Sequence, residues 1–79
     1  MVEVFKTNVT TLQDAERLLS LIHKTFVGYK ANFDLHDCDN ILRIKAISGT
    51  IVPDGIVSML DEHGFEADVL PDEINVLAQ

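Results

Sequence analysis

The sequence predicts an α+β sandwich of β-α-β-β-α-β order, with a four-stranded antiparallel sheet and two helices on one face. Three observations predict it. Apolar and polar residues alternate in the stretches around 2–9, 29–36 and 42–46, the period of half-buried strands. Apolar residues recur at helical spacing in two stretches, one after Thr11 and one after Pro53. A polar, turn-prone run, His36-Asp37-Cys38-Asp39-Asn40, joins the second and third strands as a hairpin. Right-handed crossovers leave few other arrangements of these pieces.

The first strand runs from Val2 to Val9. Phe5 and Val9 share one face with Thr7 between them, and Val2, Val4 and Lys6 share the other. Thr11 offers a hydroxyl to start the first helix, and Asp14 follows three residues on, as in a capping box. Such a cap is worth about 1 kcal/mol. Ala15, Leu18, Leu19, Ile22 and Phe26 then form one apolar stripe, while Gln13, Glu16, Arg17, Ser20 and Lys24 face water. Gly28 marks the helix end.

Tyr29, Ala31, Phe33 and Leu35 alternate with Lys30, Asn32, Asp34 and His36 in the second strand. In the third, Leu42, Ile44 and Ala46 face the core, and Arg43 and Lys45 face out. Ser48-Gly49-Thr50 breaks that strand. Pro53 suits the start of the second helix, where a missing amide proton costs little. Ile56, Met59 and Leu60 form its buried stripe, with Val57 and His63 at the margins and Gly64 as its stop. Phe65 to Leu70 form the last strand. The sheet's second face then carries Val2, Val4, Arg43, Lys45, Ile47, Asp68 and Leu70. That mixture is apolar enough to need a cover, either the tail at 71–79 or a second subunit.

Seventy-nine residues make one domain. We place the domain at 1–70 and a tail at 71–79, whose Ile74 to Leu77 are apolar enough to dock. A core of this size stabilises by only ~3–5 kcal/mol, so its apolar positions must be well buried. A hydrophobic content of 47% with 24% charged residues argues against disorder. No apolar run approaches membrane-spanning length, no secretory leader is evident, and Cys38 has no second cysteine to pair with. These features predict a cytoplasmic protein. The net charge of −7 repels phosphate backbones and anionic membranes, so neither nucleic acid nor membrane is expected as a partner.

Several stretches resemble one family. They are Val9-Thr10 leading into Ala15-Glu16-Arg17-Leu18, Phe33-Asp34-Leu35, Leu42-Arg43-Ile44, and Gly64-Phe65-Glu66-Ala67-Asp68-Val69-Leu70. Over residues 2–70 the chain resembles the heavy-metal-associated domains, the ferredoxin-like units of copper chaperones and metal-pumping ATPases. The resemblance implies a ferredoxin-like βαββαβ sandwich. The family's Met-x-Cys-x-x-Cys motif is absent. Val9 falls at its methionine, and Thr11 and Asp14 fall at its two cysteines. Hydroxyl and carboxylate oxygens are hard donors and do not replace thiolates on Cu(I). They are good helix-start residues, so the metal loop reads as an ordinary cap.

One alternative metal set is visible. The first strand–helix loop, the hairpin and the last helix–strand loop meet at one end of such a sheet, where Asp14, His36, Cys38 and His63 offer ligands suited to zinc. A single His-x-Cys pair is a weak signal beside the paired spacings of strong zinc sites. Cys38 is a poor nucleophile, because Asp37 and Asp39 oppose thiolate formation. His23 lies late in the first helix, where an imidazolium suits the helix C-terminus, and structural placement is the default reading. No phosphate loop or catalytic set is present in the sequence. We therefore expect no enzyme and no cofactor. The expectation is an interaction module that self-associates or meets a protein partner through the open sheet face, with a homodimer as its simplest form. The alternative is a divergent metal carrier using His36, Cys38 and His63 or Asp14.

Overall fold

The computed structural model describes residues 1–36, 40–47 and 49–70. The elements are β1 (Val2–Thr7), α1 (Leu12–Thr25), β2 (Tyr29–Asp34), β3 (Ile41–Ala46), α2 (Pro53–Glu62) and β4 (Ala67–Val69). The strands form one antiparallel sheet in the order β2-β3-β1-β4, a ferredoxin-like arrangement. Both helices bury their apolar stripes in a single cluster with one sheet face. Phe5, Val9, Leu18, Ile22, Leu42, Ile44, Ile56 and Leu60 are its fully buried members. Each such side chain contributes roughly 1.5–3 kcal/mol by leaving water.

The register follows from parity. Phe5 lies opposite Leu42, and Leu42 lies opposite Phe33, so these three side chains share the helix-covered face. Tyr29 opposite Ala46 and Ala31 opposite Ile44 extend that face along β2. The core-facing side predicted for these residues thus holds across three strands.

Element ends differ from the sequence reading where side chains intercept backbone groups. The first strand stops at Thr7, before Val9. The Thr7 hydroxyl accepts from the Val9 N–H at 3.2 Å and donates to the Asn40 carbonyl at 2.6 Å. The Val9 amide is therefore held by a side chain rather than by a neighbouring strand. The first helix ends at Thr25, with Phe26 as its cap, and Gly28 follows with φ +94°. Phe26 turns inward to stack on Tyr29, with ring centroids 5.2 Å apart. The second strand ends at Asp34, whose carboxylate accepts from the His36 N–H at 3.2 Å and begins the turn.

The start of α1 is as predicted, with the Thr11 hydroxyl accepting from the Asp14 N–H at 3.2 Å. The end of α2 is also as predicted. Gly64 has φ +86°, its N–H donates to the Asp61 carbonyl, and the Phe65 N–H donates to the Leu60 carbonyl. That pair of bonds is a Schellman motif. The last strand is shorter than predicted, only Ala67–Val69. Flanking bonds from Asn8 N–H to Glu66 O and from Leu70 N–H to Val4 O still tie both of its ends to β1. The tail predicted at 71–79 lies outside the described residues.

Candidate functional site

Two regions qualify for scrutiny: the loop corner predicted for metal and the sheet face without helices. The corner is assembled as expected. Asn8 and Glu66 are bonded to each other twice, through Asn8 N–H to Glu66 O and Glu66 N–H to Asn8 Oδ1. Thr7 reaches the Asn40 carbonyl, so the hairpin joins the same end.

The predicted ligands have other partners there. Asp14 sits in the first turn of α1, where its carboxylate pairs with Arg17 at 3.5 Å. His36 is fully exposed, with Nδ1 3.9 Å from Asp34. His63 caps α2, and its Nδ1 donates to the Met59 carbonyl at 2.8 Å. Cys38 lies outside the described residues. Among the described residues no group of three or more His, Cys, Asp or Glu side chains is placed to hold a metal ion.

The open face is more distinctive. Three cross-strand rows follow from the register and the strand parity. Lys30, Lys45 and Val2 form the first row, and Asn32, Arg43 and Val4 the second. Asp34, Ile41, Lys6 and Asp68 form the third. Four of the chain's six lysines and arginines, Lys6, Lys30, Arg43 and Lys45, thus lie on this face. The helices carry Asp14, Glu16, Asp54, Asp61 and Glu62 on the opposite side. An acidic protein has gathered its positive charge on one surface.

Within that surface the charges are unevenly matched. Lys6 faces Asp68 directly across the strands. Lys30 faces Lys45, so two ammonium groups oppose each other. Lys30, Arg43 and Lys45 form no ion pair among the described residues. They line a shallow depression of about 700 Å³ together with Val2, Asn32 and the β2 edge. Val2 is 50% exposed there, and Ile47, next to β3, is 65% exposed.

Beside the depression, the first part of the outer edge of β2 has its amides occupied. The Ala31 N–H donates to His23 Nε2 at 3.0 Å, and the Tyr29 N–H donates to the Phe26 carbonyl at 3.1 Å. His23 accepts through Nε2, so that nitrogen carries no proton in this geometry. The bond gives His23 a structural role, tying the last turns of α1 to the edge of β2. Sequence spacing did not show the bond, because its partner lies on another element.

No known family model, curated protein or solved structure matches this chain. Among the described residues no helix is long and apolar enough to cross a membrane.

Proposed function

We propose that this protein is a non-catalytic interaction module that docks a protein partner on its open sheet face. The resemblance to heavy-metal-associated domains supplies the scaffold, and Thr11 and Asp14 at the thiol positions make the former metal loop a helix cap. The observation that carries the reading is the set of cations on the helix-free face. Lys30, Arg43 and Lys45 stand beside half-exposed Val2, without ion pairs among the described residues. Exposed aliphatic surface ringed by charge is the composition of a docking surface rather than of a folding core.

Self-association through this face is its simplest form, and sedimentation of the wild type and of Val4→Glu tests it. Val4 lies in the central row and is half-buried. A wild-type dimer lost in Val4→Glu assigns the face to a second copy. A monomer at all concentrations removes the homodimer and leaves the face for a different partner. A dimer unaffected by Val4→Glu contradicts the open face as the docking surface.

A further inference from the structure

We infer that the open face docks an acidic, aliphatic segment of a partner protein, laid across Lys30, Lys45 and Arg43 with an apolar side chain against Val2. The inference rests on the docking reading above and names the partner's chemistry. Three arguments select it.

The first is charge complementarity. Directly opposed like charges destabilise a sheet. Lys30 and Lys45 are such a pair, with Arg43 two residues along the same strand. A carboxylate placed between them converts repulsion into attraction. The acids of this face, Asp34 and Asp68, lie in the far row. The face is therefore polar along the strands, and the segment's carboxylates are directed to the Lys30–Lys45 end.

The second argument removes edge pairing. A partner strand added to β2 needs its outward amides. Those of Tyr29 and Ala31 are already bonded to Phe26 O and His23 Nε2. The other edge, β4, offers three residues. Next to the Lys30–Lys45 row, a partner thus meets side chains on the face rather than free amides of the edge.

Other polyanions fit this face poorly. Sheets that read single-stranded RNA stack bases on aromatic side chains. All five aromatic residues of this chain, Phe5, Phe26, Tyr29, Phe33 and Phe65, belong to the core or pack against it. A long polyanion also reaches beyond the patch into the field of a molecule with net charge −7. A short acidic segment stays within a screening length of about 8–10 Å from the lysines.

The test is an NMR titration of the full isotope-labelled chain with a peptide of repeating Glu-Leu-Glu-Val. A Gln-for-Glu peptide, oligouridylate and phosphatidylcholine–phosphatidylserine vesicles run in parallel. Expected are saturable shifts at the amides of Val2, Val4, Lys30, Arg43 and Lys45. The Gln peptide and the Lys45→Gln variant should each bind about tenfold more weakly, and added salt should weaken the acidic peptide. Unchanged amide positions elsewhere show that Lys45→Gln is folded.

Absence of saturation at about 1 mM peptide overturns the inference, as does equal binding of the Gln peptide. Tighter binding of oligouridylate or vesicles assigns the face to those partners and overturns it too. Shifts at the same amides in Asp72→Asn/Glu73→Gln without peptide identify the chain's own residues as the occupant. Concentration-dependent shifts without peptide identify a second copy. In that last case the acidic partner fails while the docking face stands.

Discussion

Lys30 and Lys45 are direct cross-strand partners on the face of the sheet that carries no helix. An opposite-charge pair at such a position contributes roughly 0.2–1 kcal/mol, whereas directly opposed like charges are destabilising. Lys45→Glu should therefore stabilise the fold by up to about 1 kcal/mol. In a domain this small that raises the midpoint of thermal unfolding by about 4–8 °C. Urea denaturation at low salt measures the gain, which should shrink at 1 M salt as screening removes the repulsion.

The His23–Ala31 bond predicts a specific tautomer. His23 Nε2 accepts, so neutral His23 carries its proton on Nδ1. Nitrogen-15 shifts of the ring read this directly. His23→Ala should change stability by less than about 1 kcal/mol, since water can reach the freed amide. Its signature is faster exchange of the Ala31 amide and a greater tendency to associate through the β2 edge.

Tyr29 holds the entry to the second helix. Its hydroxyl accepts from the Val52 N–H at 2.9 Å and donates to the Thr50 carbonyl at 3.4 Å. Val52 has no side chain able to cap α2. Tyr29→Phe keeps the ring against Phe26 but loses both bonds, and should cost about 1 kcal/mol. Hydrogen exchange should accelerate at Val52 and leave the amides at the centre of β3 unchanged.

Thr11 does for the first helix what Tyr29 does for the second. Thr11→Ala removes the acceptor for the Asp14 N–H and should cost about 1 kcal/mol, whereas Thr11→Ser should be near neutral. Urea denaturation of the three proteins separates these outcomes. A Thr11→Ala loss near zero would mean that the loop before the first helix is not functioning as a cap.

The fold was legible because its signals are periodic and local. Phe5, Leu42, Ile44, Ile56 and Leu60 fall on their faces by alternation or helical spacing alone, and all are fully buried. The Thr11–Asp14 cap spans three residues and needs no tertiary knowledge. The parity of Val2, Val4, Arg43 and Lys45 marked the open face. What stayed hidden depends on register between elements. That Lys30 meets Lys45 follows from where the hairpin places Ile41 opposite Asp34, with Asn40 at φ +49°. His23 to Ala31 and Tyr29 to Val52 join elements that only the packed core brings together. The shortened β1 has a similar cause, since the Thr7 hydroxyl finds Asn40 across 33 positions of chain.

On the docking reading proposed above, the Lys30–Lys45 repulsion is a cost in sheet stability that is offset when an acidic segment binds. Wild type and Lys45→Glu, compared in one experiment for stability in urea and for affinity to the Glu-Leu-Glu-Val peptide, test it directly. The variant should be more stable and bind about tenfold more weakly or worse. A variant that binds the peptide as tightly as wild type would contradict it.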